Sequence, residues 1–149
     1  MKILLALIAI LSLISVSQAY TNFRYHNGDE ILRQLQLLDD KTYILYIFND
    51  PGKNRDLRTT NDLFKDRLRV EVLDPEDSPT EHIYAEVDAT DVYGNGYLID
   101  RLNIDKESLM SKPTIVVMKN GKGNVISGPT AIHSVITSIE ALGSEEKTG

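Results

Sequence analysis

The stretch Ser111 to Pro129, SKPTIVVMKNGKGNVISGP, decides the fold. Ser111-Lys112-Pro113-Thr114 leads into Ile115 to Met118, an apolar β-branched run that predicts a strand. Asn120-Gly121 is a two-residue hairpin signal, since both residues tolerate the positive φ such a turn requires. It predicts a reversal into a second strand over Asn124 to Ser127. Beyond Gly128-Pro129, Ile132, Val135, Ile136, Ile139 and Leu142 fall on one helical face and predict a final helix. A proline-led strand, a tight hairpin, a second strand and a terminal helix form a specific succession.

Upstream, short strand-like and helix-like segments alternate, which is the pattern of an α/β domain. Phe23 to His26 is a possible first strand, and Asn27-Gly28-Asp29 opens a helix whose Ile31, Leu32, Leu35 and Leu38 run to Asp39-Asp40. Thr42 to Phe48, TYILYIF, reads as a central strand covered on both faces. Asn49 to Asn54, NDPGKN, is a loop. A second helix from Asp56 carries Leu57, Leu63, Phe64 and Leu68, extends as far as Val72, and is stopped by DPEDSPT at 74–80. His82 to Val87 forms another strand, closed by Asp88. Residues 91–96 read as loop, and Tyr97, Leu98, Leu102 and Ile104 as a short third helix. The predicted order is β-α-β-α-β-α-β-β-α, with no internal repeat.

The N-terminus bounds the compartment. Met1-Lys2 precedes an apolar run from Ile3 to Val16, and Ser17-Gln18-Ala19 supplies small residues at a cleavage site. Residues 1–19 therefore read as a secretory signal peptide, 20–143 as one domain, and 144–149 as a disordered polar tail. A retained membrane anchor is the alternative, but the run is shorter than the ~20 apolar residues a spanning helix needs. The expected location is the secretory pathway, either secreted or in the endoplasmic reticulum lumen. No retrieval tetrapeptide closes the sequence.

Composition excludes several activities. The chain has no cysteine, which removes thiolate nucleophiles, thiol–disulfide exchange and Cys-ligated zinc together. A net charge of -6, with bases interspersed among acids, argues against a nucleic-acid partner. His26, His82 and His133 have no metal-ligand spacing, and neither Asp74-Pro75-Glu76-Asp77 nor Asp88/Asp91 follows a calcium-loop pattern. Ser108, Ser111 and Ser127 lack the context of a catalytic serine, and the glycines around Lys122 belong to a hairpin rather than a phosphate loop. No metal and no cofactor is expected. Tyr43 and Tyr46 fall on opposite faces of a central strand, where core is the simpler reading. Tyr93 and Tyr97 are better placed for exposure.

TYILYIF followed by a proline-containing loop and helix, then YAEVDAT, then SKPTIVVMKNGKGNVISGP, together resemble the thioredoxin superfamily over nearly all of the chain after residue 19. The resemblance implies a thioredoxin-like α/β fold, a central mixed sheet flanked by helices, and a cis bond between Lys112 and Pro113. It also locates what is missing. Aligned on Phe48 and Pro51, Lys53 and Asp56 stand where redox-active members carry two cysteines. Ile47 stands at their buried, proton-shuttling acid. Lysine places like charge against a positive helix end, whereas an aspartate at a helix start can cap free N–H groups. Those substitutions convert a chemical site into a structural one.

The chain is similar in this respect to the non-catalytic, polypeptide-binding domains of protein disulfide isomerases. The resemblance implies a protein or peptide partner held by Pro51, Gly52, Lys53, Asn54, Lys112 and Pro113 at one end of the sheet. No catalytic residue is expected. Two alternatives belong to other classes. One is a subunit or scaffold of a membrane-associated assembly, which requires the N-terminal segment to be retained. The other is a cysteine-independent transferase in which Tyr25 or Tyr46 activates a bound thiol.

Overall fold

The computed structural model describes residues 20–75 and 81–145. Its elements are β1 (Tyr20–Asn22), α1 (Gly28–Leu35), β2 (Thr42–Phe48), α2 (Arg55–Leu68) prolonged by a π turn (Arg69–Leu73), β3 (His82–Asp88), α3 (Val92–Arg101), a 3-10 turn (Ser108–Met110), β4 (Thr114–Lys119), β5 (Lys122–Ile126) and α4 (Ala131–Glu145). The five strands form one sheet in the order β1-β3-β2-β4-β5. β1, β3 and β2 run parallel, while β4 and β5 are antiparallel. β2 is central, as its unbroken apolar sequence predicts, and every residue of it except Phe48 is buried.

Alternation along the strands divides the core into two layers. Tyr43, Leu45 and Ile47 of β2 face one layer, with Ile31 and Leu35 of α1 and Leu98 and Ile99 of α3. Ile44 and Tyr46 face the other, with Leu68 at the end of α2, Val72 and Leu73 of the π turn, and Ala131, Ile132 and Val135 of α4. Ile44, Ile47 and Ile115 are fully enclosed. Each such side chain contributes about 1.5–3 kcal/mol from burial. The hairpin forms where Asn120-Gly121 places it, with φ of 51° and 78°. At Gly123 a Cβ would come within 1.9 Å of the Val117 carbonyl oxygen, so β5 approaches β4 through a bare backbone.

Four expectations are corrected. The first strand is Tyr20–Asn22 rather than 23–26. Three residues pairing with His82 to Tyr84 are too few to show an alternation. Helix α1 ends at Leu35 and leaves Leu37 and Leu38 exposed, and Asp39 accepts a 2.5 Å hydrogen bond from the Tyr43 hydroxyl at the start of β2. Residues 92–96 are helical rather than loop, despite Gly94 and Gly96. Asp91 Oδ1 caps the Gly94 N–H at 3.0 Å, and α1 packs so closely that a Cβ on Gly28 would sit 2.7 Å from Leu98 Cβ. Packing outweighs the helix penalty of glycine, roughly 1 kcal/mol per residue. Ser144 and Glu145 belong to α4 rather than to a tail. The expected signal peptide at 1–19 and the rest of the tail, 146–149, lie outside the described residues, as do 76–80 of the loop that follows the π turn.

Candidate functional site

The six expected contact residues reach the same end of the sheet, but in different states. Thr114, directly after Pro113, pairs with Ile47, so the Lys112-Pro113 segment enters β4 where residues 49–54 leave β2. Asp50 Oδ1 accepts the Gly52 N–H at 3.0 Å, and the Asn54 N–H donates to the Pro51 carbonyl at 2.8 Å. Gly52 takes a φ of 54°, a left-handed conformation suited to glycine. Gly52, Lys53 and Asn54 are exposed and Pro51 is half-buried.

Asn54, not Asp56, caps α2, because its side chain accepts the Leu57 N–H at 3.1 Å. Asp56 lies in the first turn, where its charge still complements the helix dipole. Lys53 precedes the cap and so lies outside the helix. The Arg58 guanidinium reaches back to the Gly52 carbonyl at 2.5 Å and closes the loop over the first turn. Ile47 is fully enclosed in the apolar layer that holds Val87, Leu98 and Leu109, where a carboxylate would find no water to solvate it.

Pro113 departs from expectation twice. The bond ahead of it is trans, as are all peptide bonds among the described residues. Its side chain is buried, whereas Lys112 is half-buried. Trans is the lower-energy form of an X-Pro bond by about 0.5–1 kcal/mol. The chain reaches Pro113 through the 3-10 turn, with the Lys112 N–H on the Ser108 carbonyl at 3.1 Å. Pro113 therefore shapes the surface from beneath, and Lys112 is the member of the pair that a partner can reach.

Two residues at this end carry no signal in a motif search. Asn61 of α2 and Asn95 of α3 are both about 5 % exposed. Asn61 Nδ2 donates to the Asn49 carbonyl at 3.1 Å, and Asn95 Nδ2 to the Asp88 carbonyl at 3.0 Å. Each helix is thus clipped to the first turn beyond, or the last residue of, the strand before it. The available signal was positional: Asn61 falls between Leu57 and Leu68 on the buried stripe of α2, and Asn95 lies one turn before Leu98.

The tyrosines sort as their strand positions imply. Tyr43 and Tyr46 are core, and Tyr93 and Tyr97 are exposed. The Tyr46 hydroxyl donates to the Asn61 carbonyl at 2.6 Å, and the Tyr25 hydroxyl to the Glu86 carbonyl. Burial, then the charges of Glu86, Asp88 and Asp91, push the Tyr25 phenol up to about 12. Burial also raises Tyr46 well above the usual phenol value. Both hydroxyls already donate to backbone carbonyls, so neither proton is free to donate to a bound thiol. His26 pairs with Glu30 at 3.0 Å on the surface, and the His26 backbone N–H holds the Glu30 carboxyl below its ordinary value. His82 is buried, which lowers its pKa by desolvation. Among the described residues no three His, Asp or Glu side chains converge as metal ligands, and no helix is long and apolar enough to cross a membrane.

No family model matches the chain, and no curated protein matches it by sequence. Solved structures do. Thioredoxin of Schistosoma mansoni superposes with a TM-score of 0.53 at 19% identity, covering 84% of this chain and 98% of that one. Thioredoxin of Trypanosoma brucei brucei superposes with a TM-score of 0.56 at 11% identity, covering 87% and 96%. The fold is therefore thioredoxin-like, in a chain without cysteine. Thiol–disulfide exchange needs an attacking thiolate, and this chain has none to offer.

Proposed function

We propose that this chain is a non-catalytic, exported thioredoxin-like module that binds a polypeptide through the end of the sheet where the 51–54 loop and the 112–113 segment meet. The observation that supports this reading most is a preserved frame around an absent reaction. The loop is closed by Asp50, Asn54 and Arg58 and left exposed, while Ile47 seals the core beneath it. A loop ordered by its own hydrogen bonds presents its surface at low entropic cost. Gly52, Lys53, Asn54 and Lys112 form the accessible part of the contact, and Pro113 supports it from below.

Titration of isotopically labelled protein with an unstructured polypeptide tests the binding. Shifts are expected in the amides of residues 50–54 and 110–114, and a spectrum unchanged at millimolar peptide defeats the reading. Export is tested separately by the N-terminal residue of the protein isolated from its cell. Tyr20 supports cleavage after Ala19, whereas Met1 or Lys2 supports the anchored alternative.

A further inference from the structure

The start of α3 presents an unpartnered face at the same end of the molecule. Tyr93 is fully exposed, and Val92 and Tyr97 are 67% and 63% exposed. Tyr93 and Tyr97 are one helical turn apart and lie side by side. β3 delivers this helix next to the 49–54 loop, since Asp88 pairs with Phe48 and the Ala89 N–H donates to the Phe48 carbonyl at 2.8 Å.

Along β3 and α3, as far as Asp100, the charge has one sign. Between His82 and Asp100 the sequence contains Glu86, Asp88, Asp91 and Asp100 and no lysine or arginine. Lys65 pairs with Glu86 at 3.0 Å, and Lys106 with Asp100 at 2.8 Å. Asp88 and Asp91 have no ion pair among the described residues. Their carboxylates accept hydrogen bonds from the Thr90 N–H and hydroxyl and from the Gly94 N–H, which fix them without neutralising them. The field is felt locally, because both carboxylates contribute to raising the Tyr25 phenol.

We propose that Tyr93 and Tyr97, with Asp88 and Asp91, form a docking face for an arginine- or lysine-bearing segment of a partner polypeptide. Exposed tyrosine faces attract a guanidinium or ammonium, and uncompensated carboxylates at the start of the same helix select the same sign. An exposed pair of large aromatic rings supplies apolar contact area that a hydrated carboxylate pair alone does not. This face deepens the polypeptide-binding reading and rests on it, narrowing the partner to a cationic one.

The test is the same amide titration with three peptides of equal length, bearing two arginines, two glutamates or two serines. The arginine peptide is expected to shift residues 88–97 and to bind at least five-fold more tightly than the serine peptide, with affinity falling as salt rises. D88N/D91N keeps side-chain oxygens for Thr90 and Gly94 and removes both charges. It is expected to abolish the preference while amide dispersion stays native. Y93S/Y97S is expected to weaken the arginine peptide several-fold. Equal binding of arginine and serine peptides, or an arginine preference that persists in D88N/D91N, overturns this inference. If the serine peptide still shifts residues 50–54, the broader reading survives that result. If no peptide shifts any amide, both fall.

Discussion

β2–α2 and β3–α3 are built alike and end differently. In each, a parallel strand runs through an apolar residue, Ile47 or Val87, paired across the sheet. Each then passes through a short connection to a helix capped by a polar side chain, Asn54 or Asp91. Each helix returns a buried asparagine to the connection or strand it left. Across the β2–α2 connection and the first turn of α2, exposed Lys53, Arg55 and Arg58 outnumber Asp50 and Asp56. The β3–α3 connection is acidic and aromatic, with Asp88, Asp91 and Tyr93. The shared part is what parallel strand-to-helix geometry demands, since the new helix has N–H groups to cap and a start to fix against the sheet. The divergent part is solvent-facing, where chemistry is free to vary without cost to the fold.

Breaking the shared part should cost most at Ile47. Ile47→Asp places a carboxyl in a fully enclosed apolar position, and a loss of about 3–5 kcal/mol in urea unfolding is expected at neutral pH. Burial raises the folded pKa of such a group above its unfolded value near 3.9. The penalty is therefore smallest at acid pH, where both states hold the proton, and grows as pH rises. A loss that does not depend on pH would show that the position is more solvated than Ile47 implies.

The asparagine clips should come next. Asn61→Ala and Asn95→Ala are each expected to lower stability by about 1 kcal/mol, since each leaves a half-buried carbonyl, of Asn49 or Asp88, without its side-chain donor. If the two units are independent, the double variant loses the sum. A marked departure from additivity would couple them through the sheet. Asn54→Ala removes the α2 cap at a cost of about 1 kcal/mol, and thermal melting should read it.

A last effect is confined to alkaline pH. Tyr25 is held near 12 in the folded chain, whereas an unfolded tyrosine titrates near 10. Between those values the native state retains a proton that the unfolded state releases, so stability present below pH 10 is lost as pH rises toward 12. Tyr25→Phe should make the alkaline limb of the stability profile shallower than in the parent.

The residues that made the fold legible are those whose local chemistry permits one outcome. TYILYIF cannot lie on a surface, Asn120-Gly121 suits a tight hairpin, and the stripe from Ile132 to Leu142 fits one helix face. The start of α3 was illegible because glycine disfavours helix locally, and only the close crossing with α1 reverses that preference. The roles of Asn61 and Asn95 were hidden for a related reason. An asparagine on a buried stripe is ambiguous until the carbonyl it meets is in place. Asn54 was included among the contact residues, but its capping role depends on where the helix begins, which shifts by a residue without altering any pattern.

By itself the sequence determined the strand and helix periodicities, the hairpin and the absence of thiol chemistry, because these depend on side-chain type and near neighbours. Tertiary structure alone decided the trans bond and burial at Pro113, the helical start of α3, and the meeting of the Lys53 loop with an acidic aromatic helix face. Those features depend on contacts between segments distant in the chain, and such contacts exist only once the sheet has set its order and register.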